Sequence, residues 1–220
     1  MKKKTAALFL ALALVVGATI GGTIAWLTDT SDEVVNTFTT SDVDITLTET
    51  DADKDKDANK NSYQMVPGCT IEKDPKVKVT ADSEDCYVFV KVTETGGNVT
   101  VGTTEYSFDN FIDYTMAEGW TQLKNGEQEV EGVYYREVTD TNGKKNIDIP
   151  VIGYKKGDET VENEVLVKPT VTKEMMEAIN EDSSKQPELT FTAYAIQLKK
   201  DNSTDFGPYE AWQEINPAGT

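Results

Sequence analysis

The sequence predicts an all-β protein, a jelly-roll-like antiparallel β-sandwich with one or two short helices. Three observations carry that expectation. Apolar and polar residues alternate with period 2 along much of the chain, the mark of half-buried strands. Two Asn-Gly pairs provide hairpin turn signals between such runs. Helical periodicity is confined to two short stretches, so the strands must bury their faces on one another.

Taken in order, Val43, Ile45 and Leu47 face one way while Asp44, Thr46 and Thr48 face the other. The segment Thr70 to Thr80 reads as one strand, Ala81 to Asp85 as a turn, and Cys86 to Thr93 as the returning strand. Within this pair, Val77 and Val79 alternate with Lys76, Lys78 and Thr80, and Val88, Val90 and Val92 lie opposite Tyr87, Phe89 and Lys91. Ser107, followed by Phe108, Phe111 and Ile112, predicts one short helical turn. Asn125-Gly126 and Asn142-Gly143 predict type I′ hairpins, whose central residues need positive φ. Ile147, Ile149 and Val151 alternate again. Thr172 is placed to cap a helix over Lys173 to Asn180, with Met175, Met176 and Ile179 on its apolar edge. Leu189, Phe191, Ala193 and Ala195 stand against Thr190, Thr192, Tyr194 and Ile196, apolar enough on both faces for a central strand.

The N-terminus follows a different pattern. Lys2, Lys3 and Lys4 precede an uncharged run from Ala6 to Ile20, which ends in Gly21, Gly22, Thr23 and Ala25. A positive n-region, a short apolar h-region and a small-residue exit define a secretory signal peptide over residues 1–25. The run is about fifteen residues, short of the roughly 20 that span a bilayer, so an uncleaved anchor is the weaker reading. Cleavage between Ala25 and Trp26 by signal peptidase leaves residues 26–220 as a single β-sandwich domain. That mature chain loses three of the 21 basic residues and none of the 39 acidic ones, which puts its net charge at −21. Such a surface repels nucleic acid and anionic lipid.

Between Thr50 and Ser62 an acidic insertion is expected, with Asp51, Asp53, Asp55 and Asp57 at alternate positions. The spacing resembles the carboxylate ladder of a calcium loop. However, Lys56 or Ala58 stands where that loop needs its glycine, and Ser62 or Gln64 where it needs a bidentate Glu. A solvated loop is the main reading, and calcium the lesser alternative. Cys69 and Cys86 sit at opposite ends of the expected hairpin, on the order of 30 Å apart at 3.3 Å per residue. A disulfide tolerates about 7 Å between Cα atoms, so two unpaired thiols are expected, with Cys86 a small buried hydrophobe.

Catalytic chemistry is not encoded in any recognisable motif. The chain has no histidine, which removes Ser-His-Asp and Cys-His nucleophiles and every His-ligated zinc site. It contains no G-x-S-x-G elbow, Walker loop or G-x-G-x-x-G. The expectation is therefore a non-enzyme without a cofactor. A carboxylate-pair hydrolase remains as a further class, to be recognised by an acid with a strongly raised pKa in a cleft.

The run Gly21-Gly22-Thr23-Ile24-Ala25-Trp26-Leu27-Thr28-Asp29, leading through Asn36-Thr37-Phe38 into Val43-Asp44-Ile45, resembles the N-terminus of the TasA and camelysin group of secreted bacterial proteins. Pro67-Gly68, Lys73-Asp74-Pro75 and Tyr87 to Val92 are similar to its central strands, and Ala193-Tyr194-Ala195-Ile196-Gln197 with Ala211-Trp212 to its C-terminal end. The resemblance implies a signal peptide processed by a dedicated signal peptidase and a jelly-roll-like sandwich. It also implies secretion to the cell surface or biofilm matrix, with self-association into fibres by donor-strand exchange and contacts to wall or matrix components. The metalloprotease label given to camelysin-like members finds no histidine here to support it. The positions matching the donor segment are Trp26 to Phe38, and Val34, Val35, Asn36, Thr37 and Phe38 alternate as a strand would. The same residues suit a first strand of their own sandwich equally well, and a monomeric surface module for glycan or calcium is the alternative function.

Overall fold

The strand with the clearest two-faced alternation, Cys86–Thr95, separates two hydrophobic cores. The computed structural model describes residues 42–52 and 61–216. Its strands are β1 (Ile45–Thr48), β2 (Thr70–Glu72), β3 (Lys76–Val79), β4 (Cys86–Thr95), β5 (Val99–Val101), β6 (Thr104–Tyr106), β7 (Ile112–Asp113) and β8 (Thr115–Met116). They continue as β9 (Thr121–Asn125), β10 (Gln128–Val138), β11 (Ile149–Pro150), β12 (Ile152–Lys156), β13 (Glu159–Glu162), β14 (Glu164–Val167) and β15 (Glu188–Gln197). The helices are α1 (Lys173–Asn180) and α2 (Pro208–Ile215), with 3-10 turns at Phe108–Asn110 and Ser183–Lys185. All strand pairings are antiparallel, so the all-β sandwich with short helices is the observed fold class.

One sheet has four strands in the order β15-β4-β10-β9. Across the main core from it lie three small sheets, β1-β3-β11, β13-β12-β8 and β2-β14-β7, while β5 and β6 form a separate hairpin. Val88, Val90 and Val92 of β4 point into the main core with Val77 and Val79 of β3, Ile149 and Ile152, and Val165 and Val167 of β14. Tyr87 and Phe89 point out of the opposite face, where Trp212 and Ala211 of α2 cover them. Phe89 lies 5.4 Å from the Trp212 ring, and Tyr194 meets the same ring edge-on at 5.3 Å. The alternation read along β4 and β15 thus divides their side chains between these two cores.

Two expectations of pairing are corrected. Thr70 to Thr80 is not one strand, nor does it form a hairpin with Cys86–Thr95. The chain breaks at Lys73-Asp74-Pro75: β2 before the break pairs with β14, and β3 after it with β1 and β11. The cause is local. Pro75 has no N–H for a ladder, and the buried Asp74 carboxylate accepts from the Thr50 N–H at 2.9 Å, the Thr50 hydroxyl at 2.8 Å and Lys76 Nζ at 2.7 Å. The second correction concerns turns. Asn125 pairs with Gln128, so the hairpin loop is Gly126-Glu127, with Gly126 alone at positive φ as a type II′ turn requires. Gly102-Thr103 and Gly157-Asp158 close β5–β6 and β12–β13 in the same register. Asn142-Gly143 turns inside a long connection between β10 and β11, strands of different sheets.

The expected central position of Leu189 to Ile196 is also corrected: β15 ends its sheet and pairs with β4 alone among the described strands, and its second apolar face is explained by the core around Trp212 rather than by a second neighbouring strand. The following expectations agree with the structure. Thr172 caps α1 by accepting from Met175 N–H, and Met175 and Ile179 are buried. Ser107 opens the 3-10 turn at Phe108. Ile149 and Val151 are buried, but Ile147 is 42% exposed and lies outside the strand. Cys69 is an exposed thiol and Cys86 a buried one, both unpaired.

Candidate functional site

β1 and β15 each end a sheet, and no strand among the described residues pairs with the outer edge of either. Unpaired edges expose rows of N–H and C=O groups that can accept another strand. β1 and β15 run close to one another, with Cα atoms within 8 Å, and beside the C-terminal end of β1 and the first half of β15 the main core opens into a cleft of about 730 Å³. Its apolar lining includes Leu47 of β1, Ile71 of β2, Met176 and Ile179 of α1, and Leu189 and Phe191 of β15. The inward-facing residues of β15 are consequently only half-buried along this stretch.

A polar group stands at one side of the cleft. Lys73 Nζ lies 3.0 and 3.2 Å from the two Glu49 carboxylate oxygens, and both side chains are nearly buried. The Tyr63 hydroxyl donates to Glu49 at 2.7 Å. The Lys73 ammonium also sits 5.3 Å from the centroids of both Tyr63 and Phe191, a cation–π arrangement. The cleft therefore presents a mixed lining, apolar residues of β1, α1 and β15 alongside polar ones such as Gln64, Asn180 and Thr190, with one fixed ion pair, beside two strand edges. That arrangement suits an extended peptide segment whose alternate side chains are apolar.

The proposed signal cleavage at Ala25–Trp26 and the donor segment Val34, Val35, Asn36, Thr37 and Phe38 lie outside the described residues, as do Asp53, Asp55 and Asp57. Asp51 is described, at the base of the acidic insertion. There Asn61 Nδ2 donates to the Thr50 carbonyl at 3.0 Å, and Asn61 Oδ1 accepts from the Ala52 N–H at 2.8 Å, which draws the two ends of the insertion together. Among the described residues no group of three or more His, Cys, Asp or Glu side chains is arranged to hold a metal ion.

A second, shallower concavity of about 440 Å³ was not foreseen from the sequence. Tyr114, Trp120 and Tyr134 line it, with Glu94, Asp109, Asp113 and Lys168. Its residues come from six separate stretches of chain, so only the solitary Trp120 could have hinted at it. Burial and a 2.5 Å hydrogen bond to Glu94 push the Tyr114 phenol far above its ordinary pKa, and burial raises Tyr134 as well.

No family model matches this chain, and neither a curated protein nor a solved structure was found similar to it.

Proposed function

We propose that this is a secreted structural protein of the bacterial cell surface or biofilm matrix, without enzymatic activity, whose copies assemble by strand donation. In this reading the mature N-terminal segment, Trp26 to Phe38, of one subunit enters the cleft of the next. The observation that carries it is the cleft with alternating apolar and polar lining residues beside the edges of β1 and β15, which no described strand pairs. Val34, Asn36 and Phe38 would turn one way into the cleft and Val35 and Thr37 the other, while backbone groups pair with a strand edge. The signal-like N-terminus and the family resemblance support export and fibre formation.

The test compares the mature chain with a variant that begins at Thr39. Subunits at −21 repel one another, but only over a Debye length of about 8 Å at physiological salt. Added salt, or a pH lowered towards the sequence pI of 4.3, should therefore favour polymers of the mature chain, visible by electron microscopy and sedimentation. The shortened variant should stay monomeric with an unchanged melting temperature. If the shortened variant instead loses stability while the mature chain stays monomeric at high concentration, the segment belongs to its own sandwich and the fibre reading fails.

A further inference from the structure

Two asparagines in the sequence precede glycine, Asn125 and Asn142, and the structure holds them differently. Both are exposed, so exposure does not separate them. The Asn142 side chain is held at both its polar atoms. Its Oδ1 accepts from the Thr139 and Lys144 N–H groups at 3.1 Å each, and its Nδ2 donates to the Glu137 carbonyl at 3.0 Å. The connection around it is pinned in turn by Lys145, whose ammonium lies 2.9 Å from Asp85, 3.0 Å from Asp140 and 2.6 Å from the Ser83 carbonyl oxygen. Asn125 has no such restraint. Among the described residues its side chain makes no hydrogen bond, and neither does the Gly126 N–H. No atom lies within 4 Å of the point where a Gly126 Cβ would stand. The hairpin tip is also weakly laced: Asn125 pairs with Gln128 and Lys124 with Glu129, and the ladder then breaks until Gln122 meets Tyr134.

We infer that Asn125 is a site of spontaneous modification, converting to aspartate and isoaspartate through ring closure onto Gly126. The Gly126 nitrogen attacks the Asn125 side-chain carbonyl carbon, so that a C–N bond forms and the Cγ–Nδ2 bond breaks. The Gly126 N–H proton leaves with Nδ2 as ammonia. Water then opens the cyclic imide at either carbonyl, and no other reactant is needed. Glycine permits the attack because it has no Cβ to crowd the nitrogen. At a strand end the nitrogen must first swing behind the side chain, and a tip held by two residue pairs can open locally to allow it. At Asn142 the same closure must break three side-chain hydrogen bonds. Each such bond makes the reactive geometry about fivefold rarer, so the difference should exceed about tenfold even after the tip of the β9–β10 hairpin has had to open. Each conversion adds one negative charge to a mature chain already at −21, and the isoaspartate form lengthens the main chain by one carbon at the end of β9.

The site is independent of strand donation, and the mature chain is tested whole. It is aged in mildly alkaline buffer at physiological temperature, sampled over weeks and digested for peptide mass mapping, with isoaspartate read by enzymatic methylation. The peptide holding Asn125 should exchange ammonia for water at least about tenfold faster than the one holding Asn142. In urea, where the hydrogen bonds of Asn142 are gone, the two should convert at similar rates. Asn125→Gln would need a less favourable six-membered ring, so it should abolish the fast conversion with the melting temperature unchanged. The inference is overturned if Asn125 converts no faster than Asn142 in the native chain, if its lead persists undiminished in urea, or if fast conversion survives in the Asn125→Gln chain.

Discussion

Replacing Gly132 by alanine perturbs the contact between β10 and β4 at one backbone position. Gly132 has φ +66°, and a Cβ added there lies 2.3 Å from the Val92 carbonyl oxygen. The left-handed conformation costs a residue with a side chain about 1–2 kcal/mol. In addition, Cβ atoms are essentially never found within 3.0 Å of such a neighbour, so the strands must part by a large fraction of an ångström. That parting loosens one or two ladder hydrogen bonds, at about 1 kcal/mol each. The sum is about 2–4 kcal/mol, a sizeable share of a typical 5–15 kcal/mol, and for a chain of this size a fall of about 5–15 °C in melting temperature. Gly126→Ala isolates the conformational part. Its φ is +62°, but no atom lies within 4 Å of the added Cβ, so it should cost only about 1–2 kcal/mol. Urea titrations of the two variants and their parent provide the measurement. A cost for Gly132→Ala no greater than for Gly126→Ala would refute the close approach of β10 to β4.

Two further outcomes follow from titratable groups. Burial pushes the Asp74 carboxyl up, but the hydrogen bonds from Lys76 and Thr50 outweigh it and leave its pKa below the ordinary value of 3.8. The stability this depression contributes is present above the unfolded pKa and is lost as pH falls through the folded one. Asp74→Asn should therefore destabilise by about 1–3 kcal/mol at neutral pH, and the gap from the parent should close below about pH 4 in pH-dependent melts. A gap independent of pH would argue against the charged form as the cause. Burial raises the Cys86 thiol to about 11, whereas Cys69 is exposed. A thiol-titrating reagent at pH 8 should thus label one cysteine in the native protein and two after unfolding, and rapid native labelling of both would contradict the burial of Cys86.

The legibility of the fold in the sequence depended on range. Along β4 and β15, what each side chain faces is set by the pleat alone, so the alternation of Val88, Val90 and Val92 against Tyr87 and Phe89 could be read directly. The cap at Thr172 is equally local. Pairing was not, because alternation in Thr70 to Thr80 gives faces but no partner, and the change of sheet is made by hydrogen bonds from Thr50, distant in the chain. Helix α2 had a readable start in Gly207-Pro208, and Trp212 and Ile215 follow Pro208 at helical spacing, but its shortness hid it. The cleft and the second concavity are made where separate segments converge, and no spacing within one segment reports that.

The paired hydrogen bonds of Asn61 to Thr50 and Ala52 have an engineering consequence. They hold the chain on either side of residues 53–60 at one point, Asn61 against Thr50 and Ala52. The entropy of a closed loop grows only logarithmically with its length, so doubling that stretch costs about 0.6 kcal/mol. A peptide epitope inserted between Ala52 and Asn61 would therefore enter and leave the fold through one collar, the two hydrogen bonds of Asn61.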